Sequence, residues 1–438
     1  MNRSGLYNFL SSILVIIAGL AIGFIILLIS DSDRVLPAVI VMAACILAGL
    51  LILLIGRRTQ AANRHFRTTL PMLLVALGLV AGIIILLSES AQAWPAFWMI
   101  LSFGARNMRN VGDVLLFATP IIFTGLSVAF AYRTGLFNIG ATGQFTFGAF
   151  VAIYIGIEFT FLAPAARIIL SIVAAAIAGA LWGAIPGLLK AYRNVHEVIT
   201  CIMTNYIGMF LVTHMIRTHI FDQGRGTTLP LPADSNLPTL GLGNIFQETT
   251  EVATRSSHVN LGIVLAILFA IFIYIILEKT TFGYELKACG FNRDAARYAG
   301  ISEKRNIVSS MMICGALAGI GGALNFMNGT GLSMSAMDVL AMEGFTGISV
   351  AFLGLNHPIG IIFSGSLVSY LFLGGARMQV YGFSIELVEI VISVIIYFCA
   401  FVFLMRSFLE RKIGKLGKKQ EPTESIESQD SAEGGESA

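Results

Sequence analysis

Long apolar runs separated by short polar segments dominate the chain. A membrane-spanning α-helix needs about 20 predominantly apolar residues, and a series of stretches meets or approaches that length. The pattern therefore predicts an all-α fold, a polytopic transmembrane helical bundle of about 10–12 spans. The candidate spans are residues 8–30, 36–55, 70–88, 111–132, 138–157, 164–188, 197–217, 259–278, 306–327, 339–355, 359–375 and 385–406.

Two of these stretches are rich in glycine and therefore poor in helix propensity. The first glycine-rich segment (residues 135–150) contains Gly140 and Gly148 among others, and the second (residues 343–360) adds Pro358 to its glycines. Backbone that is broken at membrane depth has to be buried in protein or line a wet cavity. The composition predicts broken or re-entrant segments that form the wall of a transport pathway, with close helix packing through the glycines as the alternative.

Glycines also recur at four-residue spacing in two runs that are otherwise regular. Gly179, Gly183 and Gly187 share one helical face, as do Gly315 and Gly319. Small residues at this spacing allow the backbones of two helices to approach closely. We expect packing surfaces here, which do not identify a function.

The overall composition agrees with a membrane protein. Hydrophobic residues make up 56% of the chain and charged residues only 12%, against about 25% charged residues in soluble proteins. When the loops alternate between the two sides of the membrane with the N-terminus inside, most of the 28 Lys and Arg residues fall on the cytoplasmic side, as the positive-inside rule requires. Both termini are therefore predicted to be cytoplasmic.

Composition also divides the chain into three regions. Residues 1–110 are expected to form accessory N-terminal membrane spans, and residues 111–407 a core that includes an external polar loop at 218–258. Residues 408–438 form a tail that is first basic and then acidic. The tail is predicted to be disordered because it has few apolar residues to bury. For the external loop, an ordered docking role and a mobile linker are equal alternatives.

A basic polar segment (residues 279–305) interrupts the apolar runs of the core. Asn292 can cap a short helix there, with Asp294 near its positive end and Gly300 as its stop. A short amphipathic helix between two spans has little to bury by itself, so its small-residue face favours contact with a partner protein. A solvated connector is the alternative. The face includes Ala295, Ala296 and Tyr298.

The sequence carries little chemistry of its own. It has no G-x-x-x-x-G-K-[ST] phosphate loop, no G-x-S-x-G nucleophile elbow and no C-x-x-C pair. We therefore expect no catalytic site, no metal and no cofactor on this chain, and ATP, if it drives transport, binds another polypeptide. Among the few ionisable residues in the spans, Glu343 is the candidate for lining a pathway, with simple contact to water at the interface as the alternative. A proton- or sodium-coupled carrier would show a more developed relay of such groups.

Four stretches resemble one family of transport proteins. They are ATPIIFTGLSVAFAYRTGLFNIGATGQ (residues 118–144), VHEVITCIMTNYIG (195–208), the segment 282–301, and GFTGISVAFLGLNHPIG (344–360). The first looks like the hallmark of permease subunits of ABC importers, in the nucleoside (basic membrane protein-linked) branch of the ribose and branched-chain amino acid permease superfamily. The other three resemble the family's next signature, its cytoplasmic ATPase-contacting loop and its late glycine-rich span.

The resemblance implies a permease of the bacterial cytoplasmic (inner) membrane that imports nucleosides. Its expected partners are separate ABC ATPase subunits that hold ATP and Mg²⁺, a second related permease, and an extracytoplasmic substrate-binding lipoprotein. The short helix in 279–305 becomes a coupling helix, and the expected ATPase-coupling residues are Asn292, Asp294, Ala295, Ala296, Tyr298 and Gly300. The expected substrate-pathway residues are Asn138, Gln144, Asn205, Glu343 and Thr346.

At two positions the chain departs from the pattern of the family. Thr142 stands where the family usually has a Glu, and Thr346 where it usually has an Asp, so a hydroxyl replaces a carboxylate in the expected wall. A sugar, riboflavin or another ring-bearing metabolite is therefore an alternative substrate within the same class. Two rivals lie outside that class: a secondary active carrier that needs no ATPase, and a membrane-embedded enzyme or scaffold.

Overall fold

The computed structural model describes residues 19–28, 30, 40–45, 47, 92–249 and 254–400. Within these residues the chain is almost entirely helical, and its strands form two short antiparallel hairpins. Six helices of the described part are long and apolar enough to cross a membrane. The polytopic helical bundle predicted from the apolar runs is therefore confirmed. The predicted spans 36–55 and 70–88 and the predicted disordered tail 408–438 lie wholly or largely outside the described residues.

The elements are named in chain order, and short 3₁₀ turns carry no name. The helices are α1 (Gly19–Leu28), α2 (Ala93–Ser102), α3 (Met108–Arg133), α4 (Ala141–Glu158), α5 (Pro164–Arg193), α6 (Glu197–His219), α7 (Leu242–Ile245), α8 (Leu261–Lys279), α9 (Thr281–Phe291), α10 (Arg293–Tyr298), α11 (Glu303–Phe326), α12 (Met342–Leu353), α13 (Pro358–Ala376) and α14 (Ile385–Ala400). The strands β1 (Phe221–Asp222) and β2 (Thr227–Thr228) follow α6, and β3 (Gln247–Thr249) and β4 (Thr254–Ser256) precede α8.

Helix α3 is the centre of the bundle. Every residue from Ala118 to Ala131 is buried, because α3 is surrounded by α8, α11, α12 and α13. A helix that is apolar all round belongs in the interior. Asn107 starts it, since its side-chain oxygen accepts a hydrogen bond from the backbone N–H of Asn110 at 2.9 Å, which satisfies one of the free donors at the helix N-terminus.

Helices α5 and α11 pack along a line of glycines. A Cβ at Gly179 would collide with the carbonyl oxygen of Gly315, and a Cβ at Gly183 would collide with that of Met311. Only glycine allows the two backbones to come this close, which confirms the packing role predicted from the four-residue spacing.

The connections divide between two ends of the bundle. Helices α9 and α10 lie at one end, which we call the basic end after the Lys and Arg residues of 279–305. Glu197, at the start of α6, lines a cavity there with Lys287 of α9. The β1–β2 hairpin follows the other end of α6, so we call that side the hairpin end.

The polar loop at 218–258 is packed onto the hairpin end over its described residues. Ser235 Oγ donates a hydrogen bond to the carbonyl oxygen of Gly156 at 2.8 Å. Arg167, whose side chain is only 1% exposed, forms an ion pair with Asp234 at 2.5 Å. These contacts favour an ordered loop over a mobile linker, and its docking role stays a prediction.

The first glycine-rich segment is a turn followed by a regular helix. Residues 134–140 form the turn, and α4 then runs without interruption through 18 residues. The break in the segment therefore lies at the turn, and residues 141–150 are helical despite their glycines. The reason is packing, because Gly148 approaches Gly319 of α11 so closely that only a glycine fits, and tertiary packing outweighs weak propensity.

The second glycine-rich segment is broken at the basic end. Helix α12 ends at Leu353, and Leu355 and Asn356 both have positive φ, 58° and 52°, before α13 begins. The 12 residues of α12 rise about 18 Å, which is less than the roughly 30 Å of a bilayer core. Arg133 Nε donates to the carbonyl oxygen of Asn356 at 3.4 Å, so the C-terminal end of α12 lies at the basic end. Its length then leaves the start of α12 short of the far side of a bilayer core.

Candidate functional site

The five residues predicted to line a substrate pathway fall into two separate groups. Asn138, Gln144 and Asn205 form an amide cluster where the turn 134–140 meets α4 and α6. Glu343 and Thr346 lie on the first turns of α12. The structure does not bring the two groups into one cavity, and their role in a substrate pathway stays a prediction.

The amide cluster is held by reciprocal hydrogen bonds. Asn138 Nδ2 donates to Gln144 Oε1 at 2.9 Å, and Gln144 Nε2 donates back to Asn138 Oδ1 at 3.2 Å. Asn205 Oδ1 accepts from the backbone N–H of Gly143 at 2.9 Å, while Asn205 Nδ2 donates to the carbonyl oxygen of Ile139 at 3.0 Å. The cluster therefore ties α6 to the start of α4.

Burial leaves this cluster closed to a solute in the present conformation. Asn138, Gln144 and Asn205 are 0%, 1% and 2% exposed. Asn138 Nδ2 also donates to Ser127 Oγ at 3.2 Å, and the Cys201 thiol approaches Asn138 Oδ1 at 3.9 Å. A buried polar network in which each amide has partners fixes one arrangement of the helices around it.

Glu343 and Thr346 instead border an open groove of about 330 Å³. Asn325, from the end of α11, donates through Nδ2 to Glu343 Oε1 at 3.3 Å, and Thr124 Oγ1 donates to the carbonyl oxygen of Glu343 at 3.0 Å. The polar lining of the groove consists of the Glu343 carboxylate, the Asn325 amide and the hydroxyls of Thr346 and Ser369. The apolar walls come from Phe117, Pro120, Ile121, Met342, Phe372, Leu373 and Ala376.

The connection that precedes α12 is not helical. Residues 327–341 connect α11 to α12 without forming a helix, and Met337, Val339 and Met342 are 64%, 67% and 66% exposed in the single chain. Helix α6 satisfies part of the backbone, since Arg217 Nη2 donates to the carbonyl oxygen of Ala336 at 3.0 Å. The β1–β2 hairpin satisfies more of it, since the backbone N–H of Thr228 donates to the carbonyl oxygen of Met334 at 2.8 Å, so this segment lies at the hairpin end. The Glu343 carboxylate, in an apolar helix, is not compatible with direct contact to lipid. The groove is therefore either wet or covered by another protein.

The two positions that depart from the family pattern have different surroundings. Thr142 is buried against Gly344, and its hydroxyl has no hydrogen-bond partner. Thr346 is half-buried at the groove, and its hydroxyl donates to the carbonyl oxygen of Met342 at 3.0 Å. A carboxylate would have to be buried at position 142, whereas position 346 borders open space, so only Thr346 can affect the polarity of the groove.

The basic segment folds as the sequence predicts. Asn292 Oδ1 accepts from the backbone N–H of Ala295 at 3.0 Å and caps α10, Asp294 lies in the first turn, and Gly300 ends the helix with φ of 81°. Two aromatic side chains of this region face outward, Phe291 at 91% and Tyr298 at 94% exposure. At the end of a bundle that is outside the membrane, such exposed aromatic surface is typical of a protein contact.

Ala296, which the sequence places on the face expected to contact a partner, is buried in the single chain, and its coupling role stays a prediction. The side of α10 that carries Ala296, which is only 4% exposed, packs against the chain itself. The exposed residues of α10 include Ala295 and Tyr298. A bulky substitution at position 296 would disturb the packing of α10 before it disturbed any partner.

Two features of the site were not foreseen from the sequence. One is Asn325, a single amide in an apolar run whose partner Glu343 cannot be recognised before the fold is known. The other is a cavity of about 770 Å³ at the basic end, bordered by Arg133, Glu197 and Lys287. Its only sequence signal is a pair of glycines, Gly135 and Gly290, which belong to different segments.

The electrostatics at the basic end are balanced locally. Glu197 pairs with Lys190 at 2.8 Å, and Lys287 pairs with Glu278 at 3.0 Å. Cys289 of α9 lies beside the amide of Asn306. Burial raises the pKa of this thiol, which keeps it neutral, so it packs as a small apolar side chain.

Comparison with known proteins gives consistent results. The model of a family described as branched-chain amino acid transport system / permease component matches residues 110–400. The guanosine ABC transporter permease protein NupP of Bacillus subtilis is 39% identical over 355 residues, which are 80% of this chain and 96% of that protein. The nucleoside ABC transporter permease protein NupB of Lactococcus lactis subsp. cremoris is 33% identical, over 80% of this chain and 95% of that protein.

A relative with a different printed substrate also matches. The glucose ABC transporter permease protein TsgB13 of Haloferax volcanii is 30% identical over 78% of this chain and 89% of that protein. No solved structure matches the chain. The family model covers well over half of the chain, and the relatives are covered almost completely. The chain is thus an integral membrane protein that belongs to the permease family of ABC transport systems, as a transport subunit and not an enzyme.

Proposed function

We propose that this permease imports nucleosides. The observation that carries the proposal is the 39% identity to a guanosine permease over 96% of that protein, supported by the 33% identity to a nucleoside permease. The second candidate is import of a sugar, which the 30% identity to a glucose permease favours. A nucleoside contains both a sugar and a base, so the two candidates differ in whether the pathway has to pass a planar ring.

The proposed assembly contains this chain, a second related permease, ATPase subunits and an extracytoplasmic binding lipoprotein. An ABC permease works with ATPase partners, and we place ATP and Mg²⁺ on those subunits. The basic end then faces the cytoplasm of the bacterial inner membrane, in line with the positive-inside rule, and both termini lie on that side. The exposed Tyr298 and Phe291 supply the contact surface for the ATPase.

Transport follows an alternating-access scheme in which the groove at α12 meets the solute. The Glu343 carboxylate can accept hydrogen bonds from ribose hydroxyls or base N–H groups, and Asn325 holds it in place through the 3.3 Å contact. The second permease covers the groove and residues 327–341, which accounts for their exposure in the single chain. Weak contacts suffice, because the binding protein supplies the affinity and tight binding in the groove would slow release.

The substrate is tested by uptake in cells that lack their own guanosine and glucose uptake systems. Cells that express the complete transporter should accumulate radiolabelled guanosine, and unlabelled glucose should not compete. Accumulation should survive an uncoupler as long as ATP is maintained, because no ion gradient drives it. Competition by glucose would favour the sugar candidate, and loss of uptake with the uncoupler would favour a secondary carrier.

The ATPase contact is tested in the same cells with Tyr298→Asp. A buried charge in a protein interface costs several kcal/mol, so uptake and co-purification of the ATPase should both fall by at least about tenfold. Phe161→Asp is the matched control, because Phe161 is also an exposed aromatic residue (78%) but lies between α4 and α5, at the hairpin end and outside the segment 279–305. Equal loss in both variants would show that α10 is not the specific contact.

A further inference from the structure

The helix α9 touches the first glycine-rich segment backbone to backbone. A Cβ at Gly290 would lie 2.5 Å from the carbonyl oxygen of Arg133 and 3.0 Å from the backbone nitrogen of Gly135. Gly135 has φ of 71°, and its own Cβ would lie 3.0 Å from Gly290 Cα. No side chain lies between the two backbones, so none can absorb a displacement of α9 by changing rotamer.

The turn that receives this contact leads directly to the amide cluster. Only two residues separate Gly135 from Asn138. Thr134 Oγ1 is hydrogen-bonded to Ser310 Oγ of α11 at 2.8 Å, and Leu136 is 1% exposed. A short turn that is held on both sides moves as one unit with the residues that follow it.

The amide cluster joins three helices to that turn. Asn138 bonds to Ser127 of α3 and to Gln144 of α4. Asn205 of α6 bonds to the backbone of Gly143 and Ile139. A shift of the turn therefore changes hydrogen bonds to α3, α4 and α6 together, and any unpaired amide in this interior would be costly.

Helix α9 is also tied to α11, so it cannot move without its neighbours. Asn306 Nδ2 donates to Glu285 Oε2 at 3.3 Å and approaches Cys289 Sγ at 3.7 Å. The connections of the coupling segment 279–305 to the bundle thus include one to α11 through Asn306 and one to the turn through Gly290.

We propose that the Gly290–Gly135 contact transmits movement of the ATPase-contacting segment to the amide cluster, and that the cluster positions α3, α4 and α6 instead of binding the solute. The inference rests on the proposed function, because it assumes that ATP turnover on a partner moves α9 and α10. Asn138, Gln144 and Asn205 are then positioning residues. Coupling between two sites through such a contact typically amounts to a factor of 5–150.

The test measures ATP hydrolysis and radiolabelled guanosine uptake on the whole purified complex in proteoliposomes, supplied with its binding protein. The variants are Gly290→Ala, which crowds the carbonyl of Arg133, and Gln144→Leu, which removes the bond to Asn138. Gly374→Ala is the matched control, because its Cβ would lie 2.7 Å from the carbonyl oxygen of Ile100 where α13 meets α2. The rates of ATP hydrolysis and of guanosine uptake are both divided by the amount of assembled complex, which is measured as the ATPase bound to the permease.

We expect the ATP consumed per guanosine imported to rise about tenfold in Gly290→Ala and in Gln144→Leu, and to stay at the wild-type value in Gly374→Ala. An unchanged ratio in both variants would overturn the proposal, and so would an equal rise in the control. Should Gly290→Ala fail to assemble, Gln144→Leu decides the question, because Gln144 touches neither α9 nor α10. Absence of ATP-dependent uptake by the wild-type complex would instead refute the proposed function.

Discussion

The two glycine-rich segments place similar residues in opposite environments. In the first, each amide of the cluster is buried and hydrogen-bonded, and Gly148 is pressed against Gly319. In the second, Glu343 and Thr346 border an open groove, and α12 is too short to cross a bilayer. The first segment is therefore built to hold one arrangement of helices, and the second is built to meet something outside the chain.

The difference shows that glycine content alone does not mark a pathway. Glycine permits both a close helix contact and a break, and the neighbours decide which of them forms. What distinguishes the pathway candidate is a carboxylate that borders an open groove, because a carboxylate in a membrane helix does not face lipid.

A substitution in the first glycine-rich segment, which is largely buried, should have the largest effect on stability. In Gly148→Leu the new side chain would have to enter the space of Gly319, and overpacking of this kind costs about 3 kcal/mol. Thermal unfolding of the purified protein in detergent measures this loss of stability. Gly224→Ala is the control, since its Cβ would approach only the flexible Asp222 carboxylate at 3.3 Å and should cost less than about 0.5 kcal/mol. Equal melting temperatures for Gly148→Leu and Gly224→Ala would contradict tight packing of the first glycine-rich segment.

Removal of one polar group from each segment should give a smaller difference in stability than the glycine substitution. Asn138→Leu leaves the Gln144 amide buried without its partner, which lowers the free energy of unfolding by about 2 kcal/mol. Thr346→Val in the second segment removes a hydroxyl bonded only to the carbonyl of its own helix, and the cost should stay within about 0.5 kcal/mol. Chemical denaturation of the two variants side by side measures the difference. Similar losses in the free energy of unfolding would mean that the two segments are equally well packed.

The smallest effect on stability, with a clear effect on transport, is expected for Glu343→Gln. The amide has the size of the carboxyl group and can keep the bond to Asn325, so the free energy of unfolding should change by less than about 0.5 kcal/mol. A charge-assisted hydrogen bond to the solute is about twice as strong as a neutral one, so guanosine uptake should fall about fivefold. Normal uptake combined with a large loss of stability would make Glu343 a structural residue.

The sequence was sufficient for the class of fold and for the parts of the site that depend on local signals. Runs of apolar residues predicted the helical bundle, and Asn292 and Gly300 predicted the cap and stop of α10 because both act within a few residues of the chain. The orientation of Ala296 was not predictable, since it depends on which side of α10 meets the rest of the bundle. The same limit applies to the bond between Asn325 and Glu343, because the end of α11 and the start of α12 come together only in the folded chain.

The irregular stretch at 327–341 also bears on how the cell handles this protein. In the proposed assembly a second permease covers the exposed Met337 and Val339, so a copy without that companion would leave this apolar surface open. Orphan chains of this kind are substrates for proteolytic quality control. If the proposed companion exists, we expect the amount of the permease in the membrane to follow the supply of that companion, without a separate regulator.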